Sequence, residues 1–198
     1  MVALYRLQHK AKNHNRKLGM KIYTRMGDGG ETGLLGGRRA PKTDPIFELL
    51  GSLDETNASL GVAASHLRST KFPVKCLFVV QATILSIGAC IADDEPTKAK
   101  ILNELDNLTD SLEEQIDQWD KALPPLKNFI LPEGTPGAAS LHACRTLARR
   151  TERAFHDWPK SGDLAPVGRY LNRLSDYLFQ AARYANKLAD HTEQIWYQ

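Results

Sequence analysis

From Asp44 onward apolar residues recur at spacings of three and four, the period of a helix with one buried face. Ile46, Leu49, Leu50, Leu53, Leu60, Ala64 and Leu67 form the first stripe, and Asp44 and Pro45 suit its N-cap and first turn. A second stripe follows Pro73 through Leu77, Val80, Ile84, Ile87 and Ile91 and ends before Asp93-Asp94-Glu95-Pro96. A third runs from near Thr97 through Ile101, Leu105, Leu108, Leu112 and Ile116 to about Lys121. The segment Leu123–Gly137, with four prolines and two glycines, reads as an irregular crossover. Beyond it the spacing predicts a fourth helix over Ala138–Trp158 and a fifth over Leu164–Leu188, the latter with Val167, Leu171, Leu174, Leu178, Ala181 and Ala185 inward. Five long amphipathic helices with no strand of consequence predict an all-α fold, a five-helix bundle.

The chain before Asp44 is different in kind. Residues 27–42, GDGGETGLLGGRRAPK, hold six glycines and one proline and are expected to form a loop rather than a regular element, after a short extended piece at Lys21–Arg25. Residues 1–20 contain Arg6, Lys10, Lys12, Arg16 and Lys17 with no acid and no serine. They read as a basic, disordered extension of a single helical domain at 21–198, and the missing serine weakens a presequence reading.

Composition narrows the function classes. The 198 residues are 42% hydrophobic and 25% charged, the balance of a soluble globular domain. No window of about eighteen unbroken apolar residues and no secretory apolar core are present, so the expected compartment is the cytoplasm, or the mitochondrial matrix in a eukaryote. Cys76, Cys90 and Cys144 are odd in number and widely spaced, which suits small buried hydrophobes rather than a disulfide framework or a zinc site. The net charge of +3 is concentrated in the first twenty residues, and the remainder is slightly acidic.

The densest chemistry lies in LHACRTLARRTERAF at 141–155. Residues four apart share a helix face, so Arg145, Arg149 and Arg153 align, with Arg150 and Glu152 flanking them. Arginine forks suit phosphate oxygens, which makes the row a candidate polyphosphate clamp, while a solvated face or interhelical ion pairs would also explain it. In the glycine-rich loop, Thr24 and Thr32 offer hydroxyls, Gly27, Gly29 and Gly30 backbone amides, and Lys42 a mobile charge, the parts of an anion nest. The loop lacks the ending of a Walker motif and the flanking strand and helix of a dinucleotide fingerprint. On the fifth helix Asn172 is expected to have a defined hydrogen-bond partner, whereas Arg173 and Asp176 suit pairing with neighbouring helices. Asp54 suits a counter-ion role towards an arginine on another helix. The histidines lack metal-ligand spacing, and no Ser/His/Asp or Cys/His constellation is present, so an enzyme built on these residues works by positioning and charge.

Taken in order, YTRMGDGGETGLLGG, RRAPKTDP, GSLDETNASLG, FILPEGTPGAASLHACRTLARRTER and YLNRLSDYLFQAARYAN resemble the trimeric, propanediol-utilisation type of ATP:cob(I)alamin adenosyltransferase over nearly all of residues 21–185. The chain departs at Arg25-Met26, where members commonly have Lys-Thr. The resemblance implies a homotrimer of five-helix bundles, each preceded by a glycine-rich loop, with sites at subunit interfaces. It implies that ATP is bound by Thr24, Arg25, Met26, Gly27, Thr32, Gly33 and Lys42 together with Arg149, Arg150, Glu152, Arg153 and Asn172. Lys42, Arg149, Arg153 and Asn172 would then serve catalysis, Asp54 and Arg145 would bridge subunits, and Phe129 would lie against the lower face of the corrin ring.

The activity so implied transfers the 5′-deoxyadenosyl group of ATP to reduced cobalamin, with Mg²⁺ as cofactor and ligands of the metal left unassigned. Expected partners are ATP, cob(I)alamin or cob(II)alamin, a reductase and an adenosylcobalamin-dependent enzyme, with no nucleic acid and no membrane. Two alternatives belong to other classes: a non-catalytic nucleotide- or corrinoid-binding delivery protein, and a nucleic-acid-binding bundle using the basic tail and the arginine helix. The second lacks aromatic residues interleaved on the basic face.

Overall fold

The computed structural model describes residues 23–35, 37–92, 97–159 and 162–197, and the basic extension at 1–20 lies outside them. Five helices follow the apolar stripes: α1 Pro45–Leu67, α2 Lys75–Ala92, α3 Thr97–Asp120, α4 Pro136–Asp157 and α5 Ala165–Leu188. The main packing contacts run α1 to α4, α4 to α5, α5 to α3, α3 to α2 and α2 back to α1, so the helices close a ring around one core. Leu49, Leu60, Leu77, Ile84, Ile87, Leu105, Leu141, Leu171 and Leu174 fill it, each at most 2% exposed. Such packing supplies most of the stability of helices this long. At one end Trp119 packs against Phe72, Tyr177 and Tyr184 with ring centroids 5.1–5.8 Å apart.

Helix ends follow from local chemistry. Asp44 caps α1, its Oδ1 accepting from Ile46 N at 3.0 Å, and Pro45 occupies the first turn, where no amide partner is needed. The fourth helix starts two residues earlier than its apolar stripe indicated, because Thr135 accepts from Ala138 N and Pro136 fills the first turn. Gly137 sits where α4 crosses α1, and a Cβ there would lie 2.4 Å from Leu67 Cδ2. Helix α2 is long and apolar enough by composition to cross a membrane, yet Leu77, Val80, Ile84, Ile87, Cys90 and Ile91 are buried in the bundle core.

Two local expectations fail. The glycine-rich loop contains a regular element, an antiparallel hairpin of β1 Glu31–Gly33 and β2 Arg39–Pro41 with Thr32 opposite Ala40. Gly37 at φ +86° turns the chain, and Leu34 N donates to the Arg38 carbonyl to close it. The described part of the predicted extended piece, Tyr23–Arg25, is no strand; Arg25 adopts φ +60°, a left-handed conformation that ends any extension.

The crossover enters α4 through Gly134, whose φ of +122° suits glycine and whose added Cβ would lie 2.2 Å from Asn186 Oδ1. The Asn186 amide holds that corner by accepting from Thr135 N at 3.0 Å and donating to the Glu133 carbonyl at 3.2 Å. Gly134→Ala is therefore expected to cost about 2–4 kcal/mol through backbone strain and the displaced amide. Urea unfolding measures it, and an unchanged midpoint would contradict this account of the corner.

Candidate active site

Helix α4 touches α1 on one side and α5 on the other, which fixes its rotation. Leu141, Cys144, Ala148, Thr151 and Phe155 face the core. Thr151 Oγ1 lies 2.9 Å from both Thr56 Oγ1 and the Ser52 carbonyl oxygen, a buried polar contact that holds α4 against α1. Ser59 Oγ meets Cys144 Sγ at 3.0 Å about two turns along α4, and burial pushes the Cys144 thiol up to about 11, so it stays a neutral packing group. With that face inward, Arg145 is half-buried and Arg149 and Arg153 are exposed along one side.

The row is electrostatically uncompensated. Arg150 pairs with Glu55 of α1, Arg169 with Asp106, Arg173 with Glu113 and Asp176, and Arg183 with Glu193. Among the described residues Arg145, Arg149 and Arg153 have no such carboxylate. Arg145 Nε is buried without an acceptor, and its pKa is lowered by loss of solvent and then by the neighbouring charge of Arg149. The row has an acceptor beside it: Asn172 on α5 donates from Nδ2 to Glu152 Oε1 at 2.7 Å, which gives the amide its expected partner and fixes the carboxylate. A cavity of about 380 Å³ opens beside Arg145 and Arg149, with Phe179, Asp176 and Leu126 in its wall.

The N-terminal loop forms a second cluster. Arg39 Nη2 donates to the Met26 carbonyl at 2.9 Å, and Lys42 N donates to the Gly30 carbonyl at 2.8 Å. These bonds fold the Thr24–Gly30 turn over the hairpin and bring the Lys42 ammonium beside Gly27, where an added Cβ would lie 3.5 Å from Nζ. Thr32 and Gly33 belong to β1 on the same hairpin. The Gly30 amide is not free for a ligand, since it donates to the Gly27 carbonyl at 3.3 Å.

Thr24, Arg25, Met26, Gly27, Thr32, Gly33 and Lys42 therefore stand together, as do Arg145, Arg149, Glu152, Arg153 and Asn172. Among the described residues no hydrogen bond or ion pair joins Thr24–Lys42 to the arginine row. Arg150 turns to α1, and its partner is Glu55, whereas Asp54 is exposed with no ion pair among the described residues. Phe129 lies on the crossover, 78% exposed, with the Trp196 ring edge-on at 6.3 Å. No group of three or more His, Cys, Asp or Glu side chains converges among the described residues.

Sequence patterning missed His142. It sits on the core side of α4 one turn before Arg145, 3% exposed, with both ring nitrogens lacking partners and the Phe179 ring 6.0 Å away. Its place on the inward stripe, four residues after Ala138 and next to Leu141, was the available signal.

The model of the family described as "Cobalamin adenosyltransferase" matches residues 22–185. The corrinoid adenosyltransferase of Bacillus subtilis is 39% identical over 171 residues, covering 84% of this chain and 87% of that protein. The mouse corrinoid adenosyltransferase is 36% identical over 184 residues, covering 89% of this chain and 77% of that protein. Among solved structures, a phenylalanine-to-alanine variant of the PduO-type ATP:corrinoid adenosyltransferase from Lactobacillus reuteri, complexed with cobalamin and ATP, superposes with a TM-score of 0.83 at 34% identity over 90% of this chain and 100% of that one.

Burial, and then the charge of Arg145, lowers the His142 pKa from 6.5 to about 4. The unfolded imidazole takes up a proton below about 6.5 while the folded one stays neutral until about 4, so this contribution to stability is complete above the first value and lost on descending to the second. Between pH 7.5 and 5 the native protein is expected to lose about 2 kcal/mol more stability than His142→Leu. Urea titrations of both proteins at the two pH values measure this, and parallel losses would contradict a neutral buried imidazole.

Proposed function

The chain belongs to the cobalamin adenosyltransferase family, and on that premise we propose that it transfers the 5′-deoxyadenosyl group of ATP to the cobalt of cob(I)alamin, yielding adenosylcobalamin and triphosphate. The observation that carries this reading is Arg149 and Arg153, exposed on one side of a rigid helix and without a carboxylate partner among the described residues, while Arg150 on the same helix is paired with Glu55. Like charges aligned this way repel one another, and a polyanion lying along them relieves that repulsion.

In this reaction the Co(I) electron pair forms a bond to C5′ while the C5′–O bond breaks, and its electrons leave with the triphosphate. No proton moves, so no general base is required. The protein's task is to hold the chain of phosphates and offset the charge that grows on the departing oxygen. Arg149 and Arg153 present planar forks to phosphate oxygens, and Lys42 supplies a point charge from the loop. Thr24, Arg25, Met26, Gly27, Thr32 and Gly33 wrap the nucleotide, with Arg150 bracing the row through Glu55.

Mg²⁺ bound to phosphates commonly needs only one or two protein carboxylates. Glu152, with one oxygen held by Asn172, is suited to be that ligand, and the ion would neutralise phosphate charge. Phe129 offers an exposed apolar ring that, set under the corrin, disfavours the lower axial ligand and so eases reduction of Co(II) to Co(I). Asp54, exposed and without an ion pair among the described residues, and Arg145, with a buried orphaned Nε, are suited to meet across a subunit boundary in a homotrimer. That arrangement would bring the loop of one subunit to the arginine row of the next. A reductase supplies the electron and an adenosylcobalamin-dependent enzyme takes the product, in the cytoplasm or the mitochondrial matrix.

Incubation with ATP, Mg²⁺ and chemically reduced cobalamin tests the activity, since a non-catalytic delivery protein forms no stable alkyl–cobalt product. Lys42→Ala and Arg149→Ala are each expected to lower turnover on the order of 10²–10³-fold. Rates within twofold of the native protein would contradict the leaving-group role. Arg145→Glu is expected to dissociate the trimer in sedimentation, and adding Asp54→Arg to restore it; an unaffected trimer in the single variant would contradict the bridge.

A further inference from the structure

One guanidinium away from the arginine row is almost sealed from solvent. The Arg183 side chain on α5 is 2% exposed, and that of its partner Glu193 is 17% exposed. Arg183 Nε lies 3.2 Å from each Glu193 oxygen, Nη1 donates to Gln180 Oε1 at 3.3 Å, and Nη2 donates to the Pro124 carbonyl at 2.9 Å. One rigid fork thus fastens three pieces of chain: the helix, the start of the crossover and the C-terminal tail.

The tail that Glu193 anchors runs antiparallel to the crossover. Leu131 N donates to the Gln194 carbonyl at 2.9 Å, Trp196 N donates to the Phe129 carbonyl at 2.8 Å, and Ile130 bridges to Ile195. Phe129 itself is 78% exposed, so its ring has little packing of its own to hold it. The two paired segments line a cavity of about 300 Å³, with Leu126, Ile130, Arg183, Glu193 and Ile195 in its wall, so no filled core on that side resists their movement. The second fastening, His191 to Glu133 at 3.2 Å, is more exposed and correspondingly weaker. The tail lies beyond residue 185, where the family match ends.

We propose that Arg183 and Glu193 are positioning residues for the cobalt chemistry, setting the place of Phe129 under the corrinoid through the tail that pairs with it. The inference rests on the assignment of Phe129 to the lower face of the ring. A buried ion pair contributes little net stability over an apolar pair of similar volume, whereas breaking one half strands a charge. Its retention here is accounted for by geometry: an apolar pair could not hold the Pro124 carbonyl, Gln180 and the tail at once.

The test compares four full-length proteins: native, Phe129→Ala, Glu193→Ala, and the double variant Arg183→Met with Glu193→Leu, which leaves no buried charge unpaired. Each is loaded with ATP, Mg²⁺ and cob(II)alamin, and a chemical one-electron reductant is added for the turnover measurement. The readouts are the four-coordinate Co(II) fraction by absorption and electron paramagnetic resonance, turnover, KM for ATP, and Tm. Expected is a lower four-coordinate fraction and a turnover reduced on the order of tenfold to a hundredfold in all three variants, with KM for ATP unchanged and the double variant keeping its Tm. A native four-coordinate fraction in the double variant, with a reduced one in Phe129→Ala, overturns the positioning role alone. A native fraction in Phe129→Ala overturns the assignment of Phe129 and the inference with it.

Discussion

The rotational setting of α4 is the constraint on which the site depends. The helix packs against α1 and α5 along its length, and the Thr151 contacts with Thr56 and Ser52 fix its depth and roll on the α1 side. Small residues at Gly137, Ala138, Cys144 and Ala148 let the three helices approach, and Gly137 leaves room for Leu67 where nothing larger fits. A helix turn is 3.6 residues, so once Leu141, Cys144, Ala148 and Phe155 are inward, Arg145, Arg149 and Arg153 must emerge together. The core thus places charges that it does not itself contact.

Charge is distributed around this helix in a way that separates scaffold from site. Arg150, Arg169, Arg173 and Arg183 each reach a carboxylate and tie helices or tail together. The Arg145, Arg149 and Arg153 row is left without one among the described residues, and Glu152 beside it is engaged by an amide rather than a cation. In the proposed reaction a polyphosphate bound along the row would relieve its like-charge repulsion and draw leaving-group stabilisation from the same cations. The hairpin folds Thr24–Gly30 against Lys42 as one unit, which in the proposed function would supply the other half of the site to a neighbour's α4.

Helix existence was legible in the chain because period and length agreed, and each of the five stripes became a helix over nearly the expected residues. The start of α4 was misread by two residues because a Thr-Pro cap precedes the first apolar position, a signal carried by polar chemistry rather than by period. The hairpin at residues 31–41 was hidden since Glu31-Thr32-Gly33 has no alternating pattern, and its pairing is made by backbone bonds around Gly37. At the site, the arginine row and the Asn172 amide could be read from spacing alone. The division between paired and unpaired arginines could not, since Glu55 rather than Asp54 meets Arg150 through the crossing of α1 and α4, which spacing within one helix does not encode. His142 and the Arg183–Glu193 clasp escaped for the same reason, as both are defined by contacts between distant segments.

The central claim is that cations from the N-terminal loop and from α4 converge on one departing triphosphate, the two halves coming from neighbouring subunits. Mixing Lys42→Ala and Arg149→Ala subunits in equal amounts, after dissociation and reassembly, tests it most directly through the rate of adenosylcobalamin formation. In a cyclic trimer with shared sites, about one site in four then combines an intact loop with an intact arginine row, so roughly a quarter of native activity should return from two nearly inactive parents. A mixture no more active than its parents, with reassembly confirmed, would contradict the claim.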